Sequence, residues 1–421
     1  MNQSASDHPG EILLLKISGE DKPGVTAPLT EVLANHQVNI LDIGQAVIHD
    51  ALSLGILIEV PGSKDTSDVL RDFLFRAHQL DLQVRYDSIP EDNYEAWVAN
   101  QGKMRYIITL LGRKLSGQQL ADLSRIIYEQ GLNIDKIQRL TGRVSLKQRH
   151  HTRNACVEFS IRGTPANDAA FRQLLFEFGN NNDVDVAFQV DSIYRRTRRL
   201  VVFDMDSTLI KAEVIDELAK AAGVGDQVAE ITEQAMRGEI DFSESFRKRV
   251  ALLKGLDTSK LDKIAAGIPL TEGAERLIGI LRRLGYKTAI LSGGFTYFGH
   301  ALQQKLGIDY VYANELDIRD GKVTGDVKGE IVDGRKKVEF LREIARKENI
   351  YLDQVIAVGD GANDLPMINV AGLGIAFRAK PLVRQKSRQA LSHAGLDGIL
   401  YLLGLRDRDL MDEKLADVRH A

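Results

Sequence analysis

Two carboxylates, Asp204 and Asp206, follow directly on the apolar run Leu200–Phe203 in the stretch RLVVFDMDSTLIKAE. Like charges at that spacing repel, so the pair costs stability unless something positive lies between them. Two other segments share the design of an apolar run that ends in small, polar or charged residues: ILSGGF (290–295) and AVGDGAND (357–364). Glycines, amides and acids straight after VIAV are poor packing choices and belong in a loop. A lysine pair, Lys336–Lys337, opens KKVEFL shortly before the last segment. Aspartates without a nearby histidine suit a hard, oxygen-preferring cation such as Mg2+, which takes one or two carboxylates together with waters and phosphate oxygens. Asp204 and Asp360 are the natural direct ligands. An ionised Asp204 facing a charge-neutralised phosphoryl group is a nucleophile able to form an aspartyl-phosphate. Ser207, Ser292, Lys337 and the backbone N–H groups after each strand are suitable donors to phosphoryl oxygens. A carboxyl beside like charges has a raised pKa, so Asp206 is suited to protonate a leaving alkoxide and then take a proton from water. The competing reading is an acidic turn after a strand. The ordered recurrence of three such strand ends argues against it.

These groups can meet only if their strands are parallel neighbours. From residue 200 the pattern alternates strands (LVVFD, KTAIL, YVYAN, VIAVGD, LGIAF) with helices, which predicts a parallel sheet. Ligands of such sheets bind at the carboxyl edge of the strands. Asp206 and Ser292 lie 86 positions apart, far beyond the roughly 30 residues of a simple β-α-β crossover. Short helical patterns fill the excess, an insertion at about 213–270. A lid over the edge is expected there, with a dimer interface as the competing use.

Residues 11–88 read β-α-β-β-α-β, with Thr66 or Ser67 capping the second helix, and the same order returns at 104–192 after a polar linker at 89–103. The polar, basic stretch 141–154 reads as an exposed loop, with a binding loop as the alternative. YRRTRRL (194–200) reads as a solvated hinge, or as arginines paired with acidic neighbours.

Composition excludes several classes. Net charge is −4 with both signs interspersed, so nothing points to nucleic acid or an anionic membrane surface. The single cysteine, Cys156, excludes an internal disulfide framework and a cysteine-rich zinc site, and its apolar surroundings make it a core residue. No apolar run approaches the ~18 residues of a spanning helix. MNQSASDHPGE at the amino terminus lacks the basic and hydrophobic regions of a signal peptide, so a cytoplasmic protein is expected.

DMDSTL, LSGGF, the lysine of KKVEFL and GDGANDLPM resemble the four motifs of the haloacid-dehalogenase-like phosphatases. More narrowly, residues about 199–405 are similar to the phosphoserine phosphatase family, a likeness extended by DSTLIKAE, GDVKGEIV and IAFRAKP. The resemblance implies a Rossmann-like α/β core with a small helical cap. It also implies Mg2+-dependent hydrolysis of O-phospho-L-serine to L-serine and phosphate, the last step of serine biosynthesis. By resemblance, Asp204 is the nucleophile and a metal ligand, Asp206 the acid/base with its main-chain carbonyl on the metal, and Asp360 the remaining ligand. Glu213 matches the contact to the substrate ammonium, Arg249 the contact to its carboxylate, and Phe242 an aromatic that helps close the cap. Ser292 and Gly293 match the phosphate-binding pair and Lys337 the phosphate-stabilising lysine, with Lys336 its competitor. Asn363 matches a substrate contact and Asp364 a carboxylate behind the metal site. GEDKPGVTAPL (19–29) resembles the first-loop signature of ACT domains, ferredoxin-like α+β modules, and places Asp21, Pro23 and Gly24 at a ligand interface. GRKLSGQQL in the second repeat lacks that Asp and Pro. A phosphatase joined to two such modules implies feedback by L-serine and assembly into homodimers or larger homo-oligomers. Transfer to another alcohol, hydrolysis of a different small phosphomonoester, and an amino-acid sensor with an inactive phosphatase half remain the alternatives.

Overall fold

The computed structural model describes residues 10–143, 147 and 154–410. Residues 1–9 of MNQSASDHPGE, and most of the basic stretch 141–154, lie outside the described residues. The chain divides into two compact units between Lys103 and Met104.

The first unit runs β1 (Glu11–Glu20), α1 (Thr26–Asn35), β2 (Asn39–Ile48), β3 (Ala51–Val60), α2 (Thr66–Gln79) and β4 (Gln83–Ser88), an antiparallel sheet of order β2-β3-β1-β4. Successive side chains on a strand point to opposite faces. On β3 this turns Leu52, Leu54, Ile56, Ile58 and Val60 inward, into a core shared with Leu29, Leu33, Val69 and Phe73 of the helices. Asp65, rather than Thr66 or Ser67, caps α2: its carboxylate accepts from the Ser67 N–H at 2.8 Å. Asp, Ser and Thr satisfy an N-terminal N–H in the same way, so composition alone does not choose among adjacent candidates. Most of the expected polar linker is helical, α3 (Glu91–Ala99). Pro90 precedes its first turn and Glu91 and Asp92 set negative charge at its amino end, a favourable arrangement with the helix dipole. No residue of α3 is buried, which is why its composition resembles a linker.

The second unit opens with β5 (Arg105–Gly112), α4 (Gly117–Glu129), β6 (Asn133–Arg139), β7 (Ala155–Arg162), α5 (Asp168–Asn181) and β8 (Asp185–Val190), a sheet of order β6-β7-β5-β8. Cys156 is buried in it. A short α6 (Ile193–Arg196) then leads into a seven-stranded sheet of β9 (Leu200–Phe203), β10 (Lys287–Phe295), β11 (Tyr310–Arg319), β12 (Lys322–Lys328), β13 (Val355–Gly359), β14 (Leu373–Phe377) and β15 (Gln389–Leu391). Its order is β12-β11-β10-β9-β13-β14-β15, with β12 alone antiparallel to its neighbour. The strands β12 and β15 escape the sequence reading: one is the polar KVTGDVK and the other has three residues.

Four helices are inserted after β9: α7 (Val214–Ala222), α8 (Gly225–Met236), α9 (Phe242–Ala251) and α10 (Thr258–Gly267). Then α11 (Ala274–Arg283), α12 (Thr296–Leu306), α13 (Gly334–Lys347) and α14 (Leu365–Val370) cover the sheet. The strand β9 is apolar at every position because both its faces are covered. Leu200 and Val202 join the core with Leu341, Ile344, Met367 and Ile368, while Val201 and Phe203 join that with Leu277, Leu281, Phe298 and Leu302. The insertion leaves the core through a neck, where Lys211 N–H donates to Pro269 O at 3.0 Å and Thr271 N–H to Leu209 O at 2.9 Å. It is also tied to β12, since Gly255 N–H donates to Val323 O at 2.8 Å and Val323 N–H to Leu256 O at 2.9 Å.

The sheet of order β6-β7-β5-β8 meets the seven-stranded one edge to edge. Gln389 of β15 uses its side-chain amide as a strand would, accepting from the Phe188 N–H at 2.8 Å and donating to the Phe188 carbonyl. Buried Asp185 accepts from the N–H groups of Ser392 (2.6 Å), His393 (3.1 Å) and Ala394 (2.9 Å). Arg195 and Arg196 of YRRTRRL pair with Glu158 and Asp191. Arg198 is buried, and its guanidinium donates to the carbonyl of Asp353 at 3.1 Å. Asp185→Ala leaves three backbone donors without their acceptor at this seam. It should lower the stability of the second unit by about 2–4 kcal/mol, measured by urea unfolding; a change too small to measure would contradict the role given to Asp185.

Candidate active site

Phe203 is in register with Ile290 on one side and Val358 on the other, so the carboxyl ends of β9, β10 and β13 are level. Asp204 stands at the central one, its N–H bonded to Val358 O at 2.8 Å. The chain leaves through a wide turn, Met205–Leu209, in which Ser207 has φ +55°. That left-handed conformation is unfavourable for a residue with a Cβ and persists only where surroundings enforce it. Here Ser207 N–H donates to Ala212 O at 3.2 Å and its hydroxyl to Glu213 Oε1 at 2.7 Å. The turn thereby holds Glu213, at the start of the helical insertion, beside the strand end.

Lys337 is fully buried and donates to Asp204 Oδ1 at 2.7 Å and to Asp364 Oδ1 at 2.6 Å. The local sequence produces this placement. Asp333 caps α13 by accepting from the Lys336 N–H at 2.8 Å, and the first turn then points Lys337 into the core. Lys336 turns outward to Glu330 (2.7 Å) and Glu339 (3.0 Å). Asp364 is held from behind by the Gly361 N–H, at 2.9 Å.

One carboxylate oxygen each from Asp204, Asp360 and Asp364 lies within 4.8 Å of the others. One ammonium does not balance three carboxylates, two of them buried and the third, Asp360, half-buried. Burial, then the charge of Asp364, pushes Asp204 up to about 7 despite Lys337. Burial, then Asp204 and Asp364, pushes Asp360 up to about 8. Burial, followed by Glu213 and Asp204, raises Asp206 well above the usual carboxylate range. Burial alone would pull Lys337 down, but Asp204 and Asp364 outweigh it, so Lys337 is held as the ammonium. The set is all oxygen, crowded and short of positive charge, which is the donor chemistry a hard divalent cation fits. Thr208 closes one side, its hydroxyl 3.4 Å from Asp360 Oδ1. The Asp206 side chain lies outside this cluster and accepts from the Val214 N–H at 3.3 Å.

Ser292 is buried, and its Oγ accepts from the Gly294 N–H at 2.9 Å. The two glycines that follow leave room for close approach. A Cβ on Gly293 would stand 3.2 Å from the Phe242 ring and 4.0 Å from Asn363 Nδ2, and one on Gly294 only 2.7 Å from Asp206 Oδ2. Phe242, from the insertion, and Asn363, from the loop after β13, therefore converge over Gly293. The Phe242 ring stacks on Phe246, which packs against Phe295 at the end of β10. Arg249 is half-buried on the same helix. Burial lowers its pKa against the charges of Asp216, Glu213 and Asp206, which it faces.

Asp204, Asp206, Glu213, Phe242, Arg249, Ser292, Gly293, Lys337, Asp360, Asn363 and Asp364 are thus all placed around one sheet edge. Asp21, Pro23 and Gly24 belong to the first unit, in the exposed loop between β1 and α1. There Asp21 N–H bonds Asp50 O at 2.7 Å and Gly24 has φ +87°. Two further residues near this edge, Thr208 and Asn314, carry weaker signals in the sequence. Thr208 stands inside the DSTL motif; Asn314, buried in β11 with its side-chain amide donating to Gly293 O at 2.8 Å, shows in the sequence only as the polar end of YVYAN.

A family model for the ACT domain matches residues 11–87, and one for haloacid dehalogenase-like hydrolase matches residues 201–369. A phosphoserine phosphatase of Streptomyces coelicolor is 42% identical over 406 residues, which cover 96% of this chain and 95% of that one. Phosphoserine phosphatase SerB2 of Mycobacterium tuberculosis is 40% identical over 397 residues, 93% of each chain. Among solved structures, a probable phosphoserine phosphatase from Vibrio cholerae superposes with TM-score 0.56 at 34% identity, covering 73% of this chain and 88% of that one.

Proposed function

The chain belongs to the phosphoserine phosphatase family, and from that membership we propose that it hydrolyses O-phospho-L-serine to L-serine and phosphate, the last step of serine biosynthesis. The observation that carries the reading is the buried Asp204–Lys337–Asp364 array at the sheet edge, with Arg249 of the insertion close enough to Asp206 and Glu213 to feel their charge.

The residues divide the work. Lys337 holds Asp204 Oδ1, which leaves Oδ2 to attack phosphorus and form the aspartyl-phosphate. Asp206, whose raised pKa keeps a proton on it, gives that proton to the departing seryl oxygen. It then takes one from the water that hydrolyses the aspartyl-phosphate. Ser292 and the Gly293 loop hold phosphoryl oxygens, and Lys337 offsets charge as it develops on them. Asp204, Asp360 and the Asp206 carbonyl would hold Mg2+, which supplies positive charge that keeps Asp204 ionised beside a dianionic phosphate. Asp364 orients Lys337 from the far side. Phe242 and the insertion exclude water when substrate is seated.

Substrate choice lies with Glu213 and Arg249. A zwitterionic phosphomonoester needs one anion and one cation beyond the phosphate site. Glu213 is exposed and fixed by Ser207, and the planar fork of Arg249 matches a carboxylate. We also take residues 11–88 and 104–192 as regulatory modules ahead of a catalytic domain at 199–405 with its cap at about 213–270, the whole cytoplasmic and homo-oligomeric, with L-serine as the effector read at Asp21, Pro23 and Gly24.

A steady-state assay of L-serine and phosphate release from O-phospho-L-serine in excess Mg2+ tests the reading; no serine release would end it. In the same assay Arg249→Lys should lower kcat/KM by about 10–100-fold, chiefly through KM, because an ammonium cannot reproduce the two-pronged contact. An unchanged KM would remove Arg249 from the substrate's carboxylate.

A further inference from the structure

Resting on the phosphate-site reading above, we infer that Asn314 is the positioning residue that sets the two halves of the phosphate cradle, the Ser292–Gly294 loop and the amino end of the Lys337 helix, against each other. Asn314 is 2% exposed and lies in the middle of β11. There β10 and β11 lose their pairing: the register is regular up to Leu291 with Tyr312 and resumes only at Phe295 with Asn314. The intervening Ser292–Gly293–Gly294 segment bulges away, so its carbonyls have no strand partner on that side. A buried carbonyl without a partner is costly. The Asn314 amide supplies it, donating from Nδ2 to Gly293 O at 2.8 Å and more weakly to Gly294 O at 3.3 Å.

Those bonds fix more than a carbonyl. The peptide unit is planar, so holding Gly293 O on the β11 side sends the Gly294 N–H to the opposite side. That N–H is the one that donates to Ser292 Oγ at 2.9 Å. With its acceptor side so occupied, the Ser292 hydroxyl has its proton free to donate to a phosphoryl oxygen. The other end of the same side chain reaches the second half of the cradle. Asn314 Oδ1 accepts from the Val332 N–H at 2.9 Å. Val332 precedes Asp333, the cap of α13, and α13 presents Lys337. Val332 O would also be 3.5 Å from a Cβ at Gly293, so the two loops are in contact where Asn314 clamps them. An amide is the group that can do this: it donates on one side and accepts on the other, which neither a carboxylate nor an ammonium does.

The test is Asn314→Ala and, because it keeps the shape and the Oδ1 acceptor, Asn314→Asp, beside Thr288→Val as a control. Thr288 is equally buried on β10 and bonds Asp309 at 3.0 Å, but at the far end of the strand. Displacement of a donor set by a fraction of an ångström costs on the order of 30–100-fold in rate. Both Asn314 variants should lose that factor in kcat with KM within about threefold. Their affinity for orthovanadate, measured by calorimetry on the magnesium-loaded protein, should fall by a similar factor. Thr288→Val should lower the melting temperature without moving either quantity. Vanadate affinity unchanged in a folded Asn314 variant, or lost equally in Thr288→Val, overturns the assignment; if Asn314→Ala does not fold, Asn314→Asp decides alone. Vanadate binding needs no phosphoserine turnover, so a wild-type protein inert to phosphoserine defeats the substrate reading and still leaves Asn314 testable.

Discussion

Asp204→Asn should lower turnover of O-phospho-L-serine by at least about 10⁴-fold and leave the fold intact. The two side chains have the same shape, and an amide oxygen at the Asp204 position can still accept from Lys337, now 2.7 Å away. What is lost is the nucleophile, since a neutral amide does not attack a phosphoryl group at a useful rate. The stability arm has a definite sign. Without a cation the folded-state pKa of Asp204 lies at about 7, above the ordinary carboxylate value of 3.8. A raised carboxylate pKa means that ionisation penalises the folded state, by an amount that grows as pH rises from about 4 to about 7 and is constant above. The variant is free of that penalty. In EDTA at pH 8 its melting temperature should therefore equal or exceed that of the wild type, and the rise produced by millimolar Mg2+ should shrink. Intact-mass measurement after acid quenching should find a covalently held phosphoryl group on the wild type and none on the variant. Residual turnover within tenfold of wild type would remove Asp204 from the nucleophile's place.

How much of this could be read from the chain alone depends on how local each signal is. Asp204, Ser292 and Asp360 announce themselves because each ends an apolar strand, and parallel neighbours bring their carboxyl ends to one edge whatever the loops do. Lys337 against Lys336 is a different kind of choice. It is decided by the Asp333 cap, which fixes the phase of α13, and the sequence offers two adjacent lysines with the same chemistry. Asn314 was illegible because its role depends on a register break between two strands, and a break in pairing leaves no mark in either strand's composition. The strand β15 has three residues and exists because β14 lies beside it and Gln389 reaches Phe188 on β8. The α3 helix has the composition of a linker for the converse reason: it buries nothing, so no apolar period betrays it. Local chemistry and the parallel neighbours it marks are legible in the chain; a break in register and a three-residue edge strand are not.

Lys337→Met should cost about 3–5 kcal/mol near neutral pH and, by removing a donor aimed at the reacting phosphoryl group, about 10²–10³-fold in kcat. The side chain has no exposed surface and makes both its bonds to buried carboxylates, so methionine can fill its space but leaves Asp204 and Asp364 facing each other uncompensated. The pH dependence distinguishes this from a packing defect. The folded-state pKa of Lys337 is raised above its ordinary value of 10.5, so its stabilising effect is complete below that pH and lost only at more alkaline values. Between pH 5 and 8 the slope belongs to the carboxylates. Asp204 at about 7 and Asp360 at about 8 already make the cation-free protein less stable as pH rises through that window. Without Lys337 their folded-state values rise further, so the loss of stability continues above pH 7, where the Asp204 contribution in the wild type has levelled off. In EDTA, the gap in melting temperature between variant and wild type should be larger at pH 8 than at pH 5, and Mg2+ should narrow it most at pH 8. Lys336→Met is the control, because Lys336 pairs outside the cluster with Glu330 and Glu339 and should leave both slope and turnover unchanged. Equal destabilisation at pH 5 and pH 8 would mean that Lys337 supports the core by packing alone, and the charge balance assigned to the site would have to rest on the cation instead.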